Sequence, residues 1–314
     1  MSRLTTDISL QALSGPVTGV LWMLASGLCF VAVTGIVRYL GTDLPAVQGA
    51  FLRFVFGLAF LGPALVVTLR RGVPAGTMPL VLGRGGLHAV AVTLWFFAMA
   101  RLPVAEVTAI GYINPIVVTL GGALLLGERL AARRLVAIGV AVVGALIILR
   151  PGLREISVGH LAQLGAAVSF GLSYLIAKRL SDSMPAGAVV AMMSLTVAIA
   201  LAPFAVAVWV PVGLVALAWL ALVAFFATVG HYCMTRAFAA APVTVTQPVT
   251  FLQLVWAMLL GMAVFGEPAD PWVFAGGALI ITAISYMTWR EAQLKRRALI
   301  TAMALTPTAP QTKV

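Results

Sequence analysis

Polar side chains inside long apolar runs are the residues of this sequence best suited to binding chemistry. His88, Asn114 and Gln253 each lie within such a run. A neutral imidazole offers one hydrogen-bond donor and one acceptor, and each carboxamide offers two donors and an acceptor. Together these groups could bind the amino and carboxylate groups of a small molecule, and the histidine could carry a proton. Two structural alternatives stay open: His88 could form an interhelical hydrogen bond, and Asn114 could bind the carbonyl that Pro115 leaves without a donor.

Aromatic residues recur along the same segments and could form the walls of a pocket. Pockets for small molecules are mostly apolar with a few placed polar groups. The further candidates for such a pocket are Phe30, Tyr112, Phe170, Trp95, Gln163, Tyr174 and Trp256. Each has a structural alternative, because aromatic rings are also common at lipid-facing positions and polar side chains in apolar helices often bond to backbone.

Catalytic and metal-binding chemistry has little support in the sequence. His88, His160 and His231 fall on different predicted helices, and no carboxylate is expected beside them to complete a metal site or an acid/base pair. All nine acidic residues fall in tails, loops or helix ends. Glu106 begins a helix, where we expect it to cap the helix rather than carry a proton. We therefore expect no enzyme activity, no cofactor and no metal.

These side chains have to be positioned by helices that cross a membrane. Hydrophobic residues make up 62% of the 314 residues and charged residues 9%, against roughly 45–50% and about 25% in soluble domains. One helix needs roughly 20 apolar residues to cross a bilayer core of about 30 Å. Gly, Pro and charged residues divide the chain into ten apolar segments, near 16–37, 46–69, 79–100, 103–126, 132–149, 159–177, 186–210, 213–235, 242–265 and 271–289. The sequence therefore predicts an all-α membrane protein with ten transmembrane helices and the lipid bilayer as its surroundings.

The net charge of +11 is explained by topology and not by nucleic-acid binding. The basic residues are dispersed among helix ends and form no stripe with interleaved aromatic residues. With the N-terminus inside, fifteen of the twenty Lys and Arg lie on the cytoplasmic side and four on the other, while Arg53 lies within a helix. Positive residues accumulate in cytoplasmic loops. Both tails, 1–15 and 291–314, are therefore predicted to be cytoplasmic, and the second is expected to be disordered past about residue 304.

The two halves of the chain are divergent copies of each other. At an offset of 140 residues Phe30 pairs with Phe170 and Arg38 with Lys178, and at 139 Gly127-Glu128 pairs with Gly266-Glu267. This register defines five-helix repeats at 16–150 and 151–290. Because five is odd, the second repeat must enter the membrane from the opposite face, and such inverted repeats support alternating access to a midplane site. Asn114 pairs with Gln253 in this register, so the two amides are predicted to face each other across the axis.

The paired Phe, Arg/Lys and Gly-Glu motifs resemble those of the drug/metabolite transporter superfamily and, within it, the EamA-type ten-helix group. Glu106-Val107 with Tyr112 and Pro115 is similar to the bacterial aromatic amino-acid and paraquat exporters. The resemblance implies a pore surrounded by helices one, three, four, six, eight and nine, with two and seven flanking it and five and ten outside. It also implies metabolite export from a bacterial cell through the inner membrane.

Residues and resemblance together predict a transporter that exports small neutral or hydrophobic amino acids, aromatic ones included, or related metabolites. It would work by alternating access and without a coupling ion. A broad-specificity drug/metabolite exporter coupled to protons and a passive pore stay open as alternatives. Small residues on helices five and ten permit close packing within one chain or between chains. Because both repeats reside in one chain, we expect a functional monomer with a small-molecule substrate and no nucleic-acid partner.

Overall fold

The computed structural model describes residues 2–114, 116–117, 120–121, 132–153, 155–181, 183–240 and 248–305. In these ranges the chain is all-helical, as the sequence predicts, with ten α-helices and one 3-10 helix, Pro248–Thr250. The α-helices are α1 Ser2–Leu40, α2 Ala46–Arg71, α3 Met78–Met99, α4 Val104–Gly111, α5 Ala132–Leu149, α6 Val158–Ser181, α7 Ala186–Ala207, α8 Leu214–Ala240, α9 Phe251–Phe265 and α10 Pro271–Leu305.

Six of the helices are long and apolar enough to cross a membrane: α1 from Val17 onward, α2, α3, α6, α7 and α8. Shorter apolar stretches lie in α5, α9 and α10. α4 ends at Gly111 and passes into a turn at Tyr112. The sequence has a proline three residues later, and proline lacks the N–H that a continuing helix needs. Most of the predicted fourth segment beyond this turn lies outside the described residues.

Prolines and glycines set several helix ends. α2, α4 and α7 begin directly after Pro45, Pro103 and Pro185. α9 ends at Gly266 in the left-handed conformation, with φ 63°, which glycine adopts without the strain that a side chain would cause. The Glu267 N–H then donates to the carbonyl of Gly261 at 3.0 Å. The Gly-Glu motif therefore fixes a helix end and determines where the Glu267 carboxylate points.

α1 and α10 are longer than predicted. α1 begins at Ser2 and not near residue 16, and α10 continues to Leu305, beyond the predicted end near 289. The extension of α10 is rich in Ala, Leu and Arg and contains no proline before Pro307, so most of its residues favour a helix. The expected disorder past residue 304 concerns residues that lie almost entirely outside the described part of the chain.

The helices pair in a pattern that maps onto itself when α1–α5 are exchanged for α6–α10. α1 packs on α8 and α3 on α6, and α2 packs on α7, α4 on α9 and α5 on α10. Each pair therefore joins one half of the chain to the other. With five helices in each half, this is the packing of two inverted repeats related by an axis in the membrane plane.

The small residues of the fifth and tenth helices pack against each other within one chain. A Cβ built on Gly276 of α10 would lie 2.5 Å from the carbonyl oxygen of Gly144 on α5, closer than any real side chain allows. α4 packs beside this pair, and its Ile110 joins a buried cluster with Ile148 and Ile280. The larger core lies where α1, α2 and α3 meet α7 and α8.

Candidate functional site

His88 lies buried on α3 at the centre of a cluster drawn from α2, α3 and α6. Its Nδ1 is 3.2 Å from the hydroxyl oxygen of Ser173. Its ring meets Phe170 edge-to-face, with centroids 5.0 Å apart, and Phe54 at 5.9 Å. Phe170 stacks in turn on Tyr174, at 6.0 Å and 13° between planes. The structure therefore brings together His88, Phe170 and Tyr174 of the predicted site residues and adds Phe54 and Ser173.

A second Phe and His pair lies between α1 and α8. Phe30 and His231 meet edge-to-face at 5.0 Å and 76°, and Phe170 and His88 do so at 5.0 Å and 68°. The α1–α8 contact is the counterpart of the α6–α3 contact, and Phe30 is the repeat partner of Phe170. At the offset of 140, His88 aligns with Thr228 and not with His231. The two histidines are therefore not matched by the repeat register, although His231 lies only three residues, less than one helical turn, beyond the aligned position.

Two arginines reach the same region. Arg84 lies one turn before His88 on the same face of α3. It is 6% exposed, its Nη1 donates to the Val189 carbonyl at 2.9 Å, and its Nε is buried without a hydrogen-bond partner among the described residues. Arg53 of α2 places its guanidinium 4.4 Å from the centroid of the neighbouring Phe54 ring.

The two guanidinium groups give this region an unbalanced positive charge. Arg84 is one turn from His88 on α3, and Arg53 lies next to Phe54, whose ring contacts His88. Among the side chains that the structure describes, no carboxylate lies within 4.0 Å of Arg53 or Arg84. Charged groups at membrane depth are costly unless paired, and they mark substrate or ion pathways. The arrangement is suited to receive an anionic group from a ligand, which guanidinium groups bind by charge-assisted hydrogen bonds.

Tyr174 is partly exposed, although His88, Ser173 and Phe54 of the same cluster are buried. Its side chain is 39% exposed, while Leu161 and Val168, at 60% and 44%, mark the outer face of α6. With 3.6 residues per turn, Tyr174 lies about 120–140° around the helix from Leu161 and Val168. Phe170 lies on the side of α6 nearly opposite to those two residues. Tyr174 is therefore exposed on a different side of α6 from Leu161 and Val168.

Asn114 and Gln253 each approach the first helix of the other repeat. A Cβ on Gly171 of α6 would lie 3.1 Å from the Asn114 carbonyl oxygen, and a Cβ on Gly27 of α1 would lie 3.8 Å from the Gln253 Cβ. The Oδ1 of Asn114 is buried and has no hydrogen-bond partner in the described part of the chain. The idea that the two amides face each other across the axis stays a prediction.

Tyr112 and Gln163 make contacts that join helices. The Tyr112 hydroxyl donates to the Thr250 carbonyl at 2.9 Å, and Gln163 Nε2 donates to the Val107 carbonyl at 2.9 Å. The Gln163 Oε1 is buried without a partner among the described residues. These bonds agree with the structural alternative given for polar side chains in apolar helices.

The two tryptophans lie apart from the cluster. Trp95 is half-buried two turns beyond His88 on the same face of α3 and packs edge-on against Phe96 at 5.4 Å. Trp256 is 38% exposed on the face of α9 opposite the buried Leu254 and Ala257. The outward position of Trp256 separates it from the other candidates.

The expectation that no carboxylate lies beside a histidine is wrong. Glu106 Oε1 is 2.7 Å from His160 Nε2, and the two side chains are 4% and 7% exposed. Glu106 is the third residue of α4 and His160 the third of α6. Helices four and six both begin at the same end of an alternating bundle, so their first turns can meet. The sequence signal for this contact was that both helices have even numbers in the chain and that each residue is the third of its helix.

A second set of charge contacts lies at the same end, which we name the outer end because the predicted topology, with the N-terminus inside, would place it outside the cell. Arg38 Nε donates to Glu267 Oε1 at 3.2 Å, and its Nη1 donates to the Ala100 carbonyl at 3.0 Å. Glu267 Oε2 accepts the Val104 N–H at 2.9 Å and so caps α4 from the other repeat. Arg150 and Asp270 form a further ion pair there. The repeat partner of Glu267, Glu128, lies outside the described residues.

A small cavity of about 60 Å³ also lies at this end, between the α1–α2 connection and the end of α3. Gly49, Phe96 and Arg101 are among its lining residues. A cavity of this size is far smaller than the roughly 300–1,000 Å³ of typical small-molecule sites.

The model of the EamA-like transporter family matches residues 17–150 and 157–289, one copy in each half of the chain. The chain belongs to the EamA-like transporter family. It is 29% identical over 296 residues to a riboflavin transporter of Rhizobium johnstonii, covering 90% of this chain and 95% of that protein. It is 25% identical over 288 residues to an S-adenosylmethionine uptake transporter of Rickettsia prowazekii, covering 90% and 96%.

A third relative is the pseudopaline exporter CntI of Pseudomonas aeruginosa, 26% identical over 275 residues, covering 85% of this chain and 94% of that protein. A crystal structure of a protein 20% identical in sequence shares the fold, with a TM-score of 0.56 over 90% of this chain and 98% of that chain. The predicted family is therefore confirmed, and the EamA-like chain is a membrane transporter. These relatives are named for riboflavin, S-adenosylmethionine and pseudopaline and not for aromatic amino acids.

Sequence reasoning missed Arg53, Arg84 and His231 in this EamA-like transporter. The charge count assigns Arg84 to a cytoplasmic loop, although its spacing of four residues from His88 places both on one helical face. Arg53 lies inside an apolar helix, and an ionisable residue in such a place is by itself a signal of function. The site therefore combines aromatic walls, two imidazoles and two guanidinium groups.

Proposed function

We propose that this EamA-like transporter carries small organic metabolites in which a carboxylate, or another compact anionic group, is attached to a planar or apolar body. The observation that supports this most is the position of the two arginines: Arg84 lies one turn from His88 on α3, and the Arg53 guanidinium lies 4.4 Å from the centroid of Phe54, whose ring contacts His88. A guanidinium group binds a carboxylate through parallel charge-assisted hydrogen bonds. Aromatic rings favour a planar body through offset or edge-on contacts.

Aromatic amino acids are one group within this class, because they combine a carboxylate with a ring. The sequence alone suggests a site that binds a neutral zwitterion through the amides of Asn114 and Gln253. The proposed site adds the guanidinium groups of Arg53 and Arg84, which favour the anionic end of a substrate. A relative named as a riboflavin transporter supports the ring-binding part of the proposal. The relatives named for uptake and for export leave direction to be measured, and we keep export as the working hypothesis.

Alternating access is the mechanism that fits the paired repeats. The halves carry equivalent Phe and His pairs, so an exchange of conformations between them would open the same site to either face. A ligand shifts such an equilibrium only by its differential affinity for the two states. We propose a facilitative monomer in a bacterial inner membrane with both termini in the cytoplasm.

Counterflow in proteoliposomes tests the substrate class. Uptake of labelled phenylalanine, tryptophan, riboflavin or S-adenosylmethionine would be measured in vesicles loaded with the same unlabelled compound. Each uptake would be compared with uptake into vesicles that are not loaded. We expect phenylalanine to be trans-stimulated and phenylalaninamide, which lacks the carboxylate, to be poorly transported. Equal counterflow of the acid and the amide would contradict the proposed anion site, and unsaturable flux without trans-stimulation would indicate a passive pore.

Arginine variants test the residues. A hydrogen bond to a charged group contributes about 1.5–3 kcal/mol, and each 1.36 kcal/mol is a factor of ten. Arg53→Gln and Arg84→Gln should therefore weaken the apparent affinity for a carboxylate substrate by about ten- to hundredfold. Arg101→Gln is the matched control, because Arg101 is exposed and stacks on Phe97 at 3.6 Å at the outer end. Unchanged affinity in both test variants would remove the arginines from the site.

A further inference from the structure

Arg236, near the end of α8, is an exposed cation that lies against two aromatic rings. Its guanidinium carbon is 5.3 Å from the centroid of the Trp22 ring on α1 and 5.9 Å from that of Tyr232, one turn earlier on α8. Its Nη1 donates to the Tyr232 hydroxyl oxygen at 3.1 Å. The two rings meet edge-to-face, with centroids 6.1 Å apart. Side chains of two helices therefore hold one guanidinium group in place.

Most of the hydrogen-bond donors of Arg236 are not used by the described residues. A guanidinium group has five N–H donors, and the bond to Tyr232 uses one of them. No carboxylate in the described part of the chain lies within 4.0 Å of Arg236. Because Arg236 is exposed, its other donors can reach an acceptor outside the protein. The planar fork of donors matches the oxygens of a phosphate group.

The surface around this contact is apolar and points away from the core. Tyr232 lies on the side of α8 opposite Val223, which is buried in the larger core. Tyr232 is 55% exposed, and Phe225, on the same side of α8, is 45% exposed. On α1, Leu21 and Leu28 share one helical face and are 60% and 51% exposed. Since polar groups of membrane-spanning helices face the bundle interior, an apolar surface that points away from the core is the one that meets lipid.

The contact lies at the depth of the membrane surface. The apolar span of α1 begins at Val17 and that of α8 ends at Met234, so Trp22 and Tyr232 fall within about 8 Å of these ends. Trp and Tyr accumulate at this depth. Arg236 lies two residues beyond Met234, at the level of the lipid headgroups. This end of the bundle is opposite the outer end, and the predicted topology places it at the cytoplasmic leaflet, whose surface is negatively charged.

We propose that Arg236, Tyr232 and Trp22 form a binding site for the phosphate group of an anionic phospholipid in the cytoplasmic leaflet. The phosphate accepts hydrogen bonds from the open side of the guanidinium group, and the acyl chains lie on the apolar surface of α1 and α8. A headgroup with a cation of its own would place that cation near Arg236, so an anionic headgroup is favoured. The bound lipid bridges the two helices whose contact also contains Phe30 and His231. This lipid site does not depend on the substrate class.

Thermal unfolding of the full chain in micelles of a neutral detergent tests the proposal. Dioleoylphosphatidylglycerol is titrated into the micelles. Dioleoylphosphatidylcholine, which has the same acyl chains, and glycerol 3-phosphate, which has none, are titrated in parallel. A ligand that binds only the folded state raises the melting temperature. We expect phosphatidylglycerol to raise it by about 2–4 °C at roughly ten times the dissociation constant, and the other two compounds by less than about 1 °C.

Variants at Arg236 test the residues. Arg236→Gln should raise the half-saturating concentration of phosphatidylglycerol about tenfold or more, because hydrogen bonds between two charged groups are lost. Arg236→Lys keeps the charge without the planar fork, so the increase should be smaller, and this variant serves if Arg236→Gln does not fold. Arg101→Gln is the matched control and should titrate like the parent. Arg101 is also exposed and lies over one ring, that of Phe97, but at the outer end.

Three results would overturn the proposal. The first is equal stabilisation by the two lipids, and the second is equal stabilisation by glycerol 3-phosphate and phosphatidylglycerol, which would indicate a site for free anions. The third is an equal effect of Arg236→Gln and Arg101→Gln on the titration, which would indicate unspecific attraction between charges. Failure of counterflow with every substrate would leave this test unaffected.

Discussion

Replacement of Glu267 by Gln should release the outer end of the transporter. The Glu267 carboxylate is 10% exposed and binds the end of α1 through Arg38, at 3.2 Å, and the first turn of α4 through the Val104 N–H, at 2.9 Å. A glutamine keeps one carbonyl oxygen and replaces the other oxygen with an NH2 group. Since both partners are donors, only one of the two bonds survives the substitution.

The size of the effect follows from the lost bond. Hydrogen bonds to charged groups contribute about 1.5–3 kcal/mol. The Arg38 side chain is 24% exposed, so solvent screens part of this energy, and we take about 2 kcal/mol. At 1.36 kcal/mol for each factor of ten, the ratio of outer-open to outer-closed molecules should rise about thirtyfold.

A thiol reporter, Gln163→Cys in a chain with Cys29→Ala and Cys233→Ala, measures this ratio, because residue 163 is 3% exposed where α6 contacts α4. The measured quantity is its labelling rate by a membrane-impermeant maleimide added outside. Arg38→Gln should raise the rate to a similar extent, and the double variant should raise it by less than the product of the two single effects, because the residues share one contact. Glu155→Gln, an exposed acid near the same end, is the control. A rate equal to that of the parent in Glu267→Gln, or fully multiplicative effects in the double variant, would refute the reasoning.

Three further substitutions test packing and the site. Gly276→Leu should lower the melting temperature and the yield of folded protein, because a side chain there meets the carbonyl oxygen of Gly144 and overpacking costs about 1–3 kcal/mol or more. Gly139→Leu is the control, because a Cβ there would have no atom within 4 Å, and it should melt at the temperature of the parent. Equal melting temperatures of the two variants would contradict this prediction. Gln48→Leu should lower the free energy of unfolding by about 2–4 kcal/mol in a denaturation assay, because fully buried Gln48 binds the backbone carbonyl and N–H of Val210, at 2.8 and 3.0 Å. An unchanged denaturation midpoint would show that these two hydrogen bonds do not stabilise the fold. Asn114→Leu should reduce counterflow while thermal stability is kept, since its buried Oδ1 accepts no hydrogen bond from the described residues and its removal leaves no donor unpaired. Parent-like counterflow would remove Asn114 from the site.

The sequence predicted the helices well where composition determines them. Proline, glycine and charge mark helix ends because each has a local physical effect, so α2 and α7 begin close to the predicted positions after Pro45 and Pro185. The repeat register predicted inverted packing because a fixed odd number of spans decides orientation. Lengths at the two termini were predicted less well, since the helical extension of α10 beyond residue 289 depends on propensity and not on apolar length.

The site was predictable only in part, because side-chain placement depends on how helices pair. His88 and Phe170 could be proposed from their depth, and the structure places them in contact. The contact of Glu106 with His160 required knowledge that α4 and α6 meet, which periodicity within one helix does not contain. Arg84 was missed because counting charges by loop ignores how far a charged residue lies inside its helix.

The central claim is that one site between inverted halves opens alternately to the two faces of the membrane. Tyr174→Cys, in the chain with Cys29→Ala and Cys233→Ala, tests it most directly, since Tyr174 lies beside His88 and is 39% exposed, so that a reagent can reach it. Impermeant maleimide would be added to either side of oriented proteoliposomes. The account predicts labelling from both sides, with Glu267→Gln increasing labelling from the outer side and decreasing it from the inner side. Labelling from one side only in every variant would contradict alternating access at this site.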